Sequence, residues 1–105
     1  MKKSMLDEAV RLTREGLDRF WQGDGNFTLD LCAPDVIWIG AQEEQFCKGL
    51  NAMTTEYQKI LKQLIPCYLA DAEFQIAGHA ARTCTVVGRY LTTTDERSAM
   101  FLQVP

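Results

Sequence analysis

The chain has a single histidine, no C-x-x-C pair, no cluster of basic residues and no long apolar run, and each shortage removes a class of function. Cys32, Cys47, Cys67 and Cys84 are irregularly spaced and His79 is the lone imidazole, so neither a metal site nor a cofactor is expected. Lys and Arg are scattered and the formal net charge is −3, which argues against nucleic acid as a partner of these residues. No stretch approaches the roughly 20 apolar residues that a membrane-spanning helix needs, so no membrane partner is expected. Met1-Lys2-Lys3-Ser4 leads into Asp7, Glu8 and Arg11 instead of an apolar core, unlike a signal peptide. The cysteines then read as buried thiols in a reducing, cytoplasmic setting. There are no internal repeats and no low-complexity segments.

What is present is enough apolar material for one domain. Hydrophobic residues make up 47% of 105 residues, which can form a core without staples, and residues 1–105 are expected to fold as a single unit. Ser4 to about Trp21 carries Leu6, Ala9, Val10, Thr13, Leu17, Phe20 and Trp21 at three-and-four spacing, with Asp7, Glu8, Arg11, Arg14, Glu15, Asp18 and Arg19 opposite. That is an amphipathic helix, with Ser4 and Asp7 as a candidate capping box. Gly23-Asp24-Gly25-Asn26 breaks it, and Asn26 is placed to cap a short second helix from Phe27 to about Ala33, ended by Pro34.

From Val36 the period changes. Val36 to Ile39 reads as a strand apolar on both faces, Ala41 to Gln45 as a polar turn, and Gln45 to Lys48 as a short return strand closed by Gly49. Leu50 to about Leu64 is a third helix with Leu50, Met53, Tyr57, Ile60, Leu61 and Leu64 on one stripe. Cys67 to Ile76 alternates, with Tyr68, Ala70, Ala72, Phe74 and Ile76 facing inward; Ala77 to Ala80 turns; Arg82 to Thr92 alternates again, with Cys84, Val86, Gly88 and Tyr90 on one face. Thr93 to Arg97 forms a second turn and Met100 to Val104 starts a last strand. The order predicts an α+β fold, with helices gathered on one face of a curved antiparallel sheet.

Trp21-x-Gly23-Asp24, the short helix, Pro34-Asp35-Val36-x-Trp38-x-Gly40 and Gly49 at the head of the long helix resemble the front half of a nuclear transport factor 2-like domain of the SnoaL-like group. Phe20-Trp21, Val36 to Gln42 and Val87-Gly88-Arg89-Tyr90 are also similar to SnoaL-like sensor segments of LytTR-type bacterial regulators. The resemblance implies a cone-shaped curved antiparallel sheet with three N-terminal-half helices packed on its concave face and a pocket at the open end. It also implies a further central strand that this chain lacks, hence a domain truncated at its C-terminus.

Ketosteroid isomerases of this superfamily use an aspartate base and a tyrosine donor, since enolisation needs a carboxylate at the carbon acid and a hydrogen bond to the developing oxyanion. The resemblance puts Gly40 at the base position and Gly16 at the tyrosine position, and neither can do that work. The expected function is therefore a non-enzymatic small-molecule-binding or dimerisation module, the sensory part of a bacterial transcription regulator. The alternative is a small isomerase or polyketide cyclase with another acid–base set.

The expected pocket lining is Phe20, Trp38, Tyr57, Phe74, Val86 and Tyr90, suited to a small apolar ligand. Ile37 and Ile39 point away from it if Trp38 and Gly40 point in, and an outward apolar pair implies a second layer, supplied by a second copy of the chain. The other candidates have plainer readings. His79 is a solvated turn residue, Asp35 a turn or cap carboxylate, Arg82 and Arg89 surface or dimer contacts, and the cysteines inert thiols.

Overall fold

The computed structural model describes residues 1–97. Three helices and four strands follow one another as α1 (Lys3–Trp21), α2 (Asn26–Leu31), β1 (Ile37–Ile39), β2 (Phe46–Lys48), α3 (Leu50–Gln63), β3 (Tyr68–His79) and β4 (Cys84–Thr93). The α+β class expected from the periodicity is what the chain forms. The final strand expected over Met100 to Val104 lies outside the described residues.

In α1 the apolar stripe turns inward, while Arg11 bonds Glu8 (2.6 Å) and Glu15 (2.7 Å), and Arg19 bonds Glu15 (2.8 Å), along the solvated side. The Arg11 guanidinium holds the Glu8 carboxyl below the usual carboxylate range. Ser4 does not cap this helix. The cap position falls on Lys2, whose carbonyl accepts from the Met5 and Leu6 amides, and Ser4 lies one residue inside the first turn. At the other end Gly23 (φ +99°) donates to the Phe20 carbonyl and Asp24 to the Arg19 carbonyl, both at 2.9 Å. This is a Schellman closure, with glycine in the left-handed position the motif requires.

Asn26 likewise is not the cap of α2. It is the first helical residue, and its amide donates to Asp24 Oδ1 at 3.1 Å. The helix stops at Leu31, short of Ala33, because the chain turns extended at Cys32 (ψ 140°) before Pro34. Gly25 is buried here: a Cβ on it would meet the Tyr57 ring at 2.9 Å and Leu61 at 3.0 Å, so α3 packs directly on the α1–α2 link.

The strands form two separate two-stranded antiparallel sheets, β1–β2 and β3–β4, rather than the one sheet expected. Alternation in sequence specifies that a segment is extended, but not which segment it pairs with, and no described strand bridges the two hairpins. In the first sheet Trp38 faces Cys47, and Ile39 faces Phe46. Within the chain one face of this hairpin is covered: Trp38 and Cys47 turn in, whereas Ile37 and Ile39 are 60% and 67% exposed.

In the second sheet β3 runs on to His79, which pairs with Cys84, and the turn falls at Ala80 to Thr83 instead of Ala77 to Ala80. A bulge between Ala70 and Glu73, with Asp71 at φ 51°, shifts the alternation. Leu69 and Ala70 are therefore both buried, and Ala72, Phe74 and Ile76 continue the inner face half-buried. The Phe74 ring lies over Gly88, filling the place of its missing side chain.

α1 lies along β3–β4 and α3 along β1–β2. Two ties fix α1 to the β3–β4 hairpin: Cys67 N–H, just before β3, to the Trp21 carbonyl (2.8 Å), and the terminal ammonium of Met1 to the Ala80 carbonyl (3.2 Å). Among the described residues the buried apolar side chains are Cys47, Met53, Tyr57, Leu69 and Ala70, a small core.

Candidate functional site

Between the two halves lies a cavity of about 770 Å³, within the range of small-molecule sites. Three helices and two strands contribute to it. α1 presents Gly16, Phe20 and Trp21 because its inward stripe faces the gap; α2 adds Thr28, and Cys32 follows just past its end; β1 sends in Trp38 by strand alternation; α3 supplies Met53 and Tyr57 one turn apart; and β4 contributes Tyr90.

Rings dominate the wall. Phe20 meets Trp21 edge-on at 5.6 Å, Phe20 meets Tyr57 at 5.0 Å, and Trp38 meets Tyr57 edge-on at 5.4 Å. These are favourable aromatic geometries, so the cluster stiffens one side of the cavity. Cys32 Sγ lies 3.9 Å from Met53 Sδ, and burial pushes its thiol pKa up, which disfavours the thiolate.

The polar atoms are few and uncharged. The Trp21 indole N–H donates to the Tyr90 hydroxyl at 3.2 Å, joining the end of α1 to β4. Tyr57 is 6% exposed, and burial pushes its pKa up to about 12, with Cys32 and Tyr90 adding smaller effects in the same direction. Its phenol therefore stays neutral and able to donate. Gln45 reaches back from the hairpin turn, accepting the Gln42 amide at 3.2 Å beside Gly40. Among the described residues no Asp, Glu, His, Lys or Arg lies on this wall. Among the described residues no three His, Cys, Asp or Glu side chains converge to hold a metal ion.

Of the residues expected to line a pocket, Phe20, Trp38, Tyr57 and Tyr90 lie on the wall together; Phe74 and Val86 do not. Phe74 stacks behind Tyr90 at 6.4 Å with an interplanar angle of 21°. Val86 is half-buried on β4, two pairs nearer the hairpin turn than Gly88. Gly16 and Gly40 are both on the wall. Ile37, despite its apolar character, is on the outer side, and Ile39 reaches the cavity rim while remaining mostly exposed. His79 is an exposed ladder residue, Asp35 is exposed, Arg82 is exposed in the β3–β4 turn, and Arg89 pairs across the strand with Glu73 at 3.0 Å.

The cysteines are free thiols, but only Cys47 is buried; Cys32, Cys67 and Cys84 are half-buried. Sequence reasoning did not place Thr28, Cys32, Met53 or Gln45 on this wall. Met53 was legible as part of the α3 stripe, whereas Thr28 and Gln45 carry no sequence signal that would mark them.

No family model matches this chain, and no curated protein or solved structure does.

Proposed function

We propose that this chain is a non-enzymatic module that binds a small apolar molecule and pairs with a second copy of itself. We further propose that it is built on the nuclear transport factor 2-like, SnoaL-like plan and is the sensory part of a bacterial transcription regulator. The observation that carries this reading is the cavity itself, lined mostly by aromatic and aliphatic side chains, with no charged group among the described residues. Transfer of a proton to or from carbon needs an acid or base at the reacting atom, and among the described residues this wall offers hydroxyls, an indole, the Gln45 carboxamide and a thiol of raised pKa, with no carboxylate or imidazole. Gly16 and Gly40, the positions that the resemblance matches to the isomerase donor and base, face the cavity without side chains.

The pairing surface is the outer side of β1–β2. Ile37, Ile39 and Phe46 are 60%, 67% and 54% exposed, and Ile39 and Phe46 are cross-strand partners on one face. Lys48, the cross-strand partner of Ile37, shares that face with its ammonium 5.8 Å from the Phe46 ring, and the three exposed apolar side chains beside it favour a covering layer.

Trp21 and Trp38, the two tryptophans of the chain, both line the cavity, so their fluorescence reports occupancy. Titration with a neutral naphthalene derivative is expected to quench or shift that emission saturably, with Tyr57→Trp, which fills the space, abolishing the effect. A flat titration up to the solubility limit of the probe overturns ligand binding and leaves a pairing domain.

A further inference from the structure

Resting on the reading of the cavity as a ligand site, we propose that its ligand is an uncharged, largely apolar molecule bearing one carbonyl-type acceptor, and that Tyr90, held by Trp21, reads that acceptor. Three observations lead there. Among the described residues the wall has no fixed charge, so an ionic ligand would give up its hydration without a counter-ion, at a cost far above that of a neutral one. The Tyr57 hydroxyl meets no partner among the described residues, and since no buried side-chain polar atom there is left unpaired, it faces accessible space; Tyr90 is a half-buried wall residue whose hydroxyl donates to no acceptor among the described residues. Finally, the Tyr90 oxygen already accepts the Trp21 indole proton at 3.2 Å, which occupies a lone pair and leaves the hydroxyl to act outward as a donor.

The Trp21–Tyr90 link also explains why this donor is positioned. It bridges residues 69 apart in the chain, from the last residue of α1 to the inner face of β4, and Phe74 stacks on the far side of the Tyr90 ring. A hydroxyl whose ring is held by both a hydrogen bond and a stacked neighbour loses little freedom on donating to a ligand, so the contact discriminates between ligands. Trp21 acts through Tyr90 and is a positioning residue.

Three probes of one shape separate the alternatives on the full chain: acetylnaphthalene, ethylnaphthalene and naphthoate, each titrated by tryptophan fluorescence. The expected order is the ketone about tenfold tighter than the hydrocarbon, a difference typical of one well-placed hydrogen bond, with the carboxylate weakest. Tyr90→Phe should remove the preference for the ketone while ethylnaphthalene still binds. The carbonyl stretch of bound acetylnaphthalene should lie at lower frequency than in hydrocarbon solvent, and return upward in that variant. If Tyr90→Phe fails to fold, the wild-type ratio and the carbonyl frequency decide alone. Equal binding of ketone and hydrocarbon, or tightest binding of naphthoate, overturns the acceptor reading and leaves apolar binding standing. Binding of none of the three overturns the proposed ligand site itself, and this inference with it.

Discussion

Tyr57 shows how one side chain joins packing to chemistry. It sits on the α3 stripe, makes ring contacts with Phe20 and Trp38, and closes over buried Gly25, yet its hydroxyl remains on the cavity wall. Burial raises its pKa from the ordinary 10.0 to about 12. A raised folded-state value means that the unfolded chain ionises first, so the contribution of this phenol to stability is complete below pH 10 and is lost as pH rises towards about 12. Urea denaturation across that window should show the wild type losing stability more steeply than Tyr57→Phe; parallel curves would mean that the ring is solvated. The aromatic stripe was legible in sequence because Tyr57 follows Met53 by four residues, whereas the open hydroxyl was not, since it depends on what α1 and β4 leave uncovered.

At the scale of elements, glycine and proline set the boundaries. Gly23 (φ +99°) ends α1, and Gly49 (φ +96°) precedes α3. Nothing lies within 4 Å of a Cβ built on Gly23, so Gly23→Ala isolates the backbone cost of a left-handed conformation. Thermal denaturation should show a loss of about 1–2 kcal/mol, without change in ligand affinity. The helix ends expected from the sequence were close, and the capping residues were not. Ser4 and Asn26 have the right chemistry for caps, but each lies one or two residues inside its helix, where Lys2 and Gly25 stand at the cap positions. The length of β3 was underestimated for a related reason: Ala77 and Gly78 look like turn residues, but pairing with β4 carries the ladder through to His79.

On the scale of the whole molecule, a small core and an open cavity belong together. The described chain splits into α1 on one hairpin and α3 on the other, with the cavity between them. Under the pairing proposed above, the wild type sediments as a dimer, and Ile37→Lys with Ile39→Lys together shift it towards monomer at micromolar concentration. Unchanged sedimentation of this variant would exclude the β1–β2 face from pairing. Both positions are 60% or more exposed, so the lysines burden the folded monomer little.

The amino-acid sequence by itself determined which segments are helices and which are strands, because the three-and-four stripe of α1 and α3 and the two-residue alternation of β3 and β4 are local properties of the chain. It also marked Ile37 and Ile39 as outward relative to Trp38, since alternation about one residue needs no partner to be read. Only the tertiary structure decided that the strands form two hairpins rather than one sheet, that Phe74 lies behind Tyr90, and that Trp21 meets Tyr90 across 69 residues. Those outcomes depend on contacts between segments far apart in the chain, where the energy comes from which faces meet, and neither period nor composition encodes that choice.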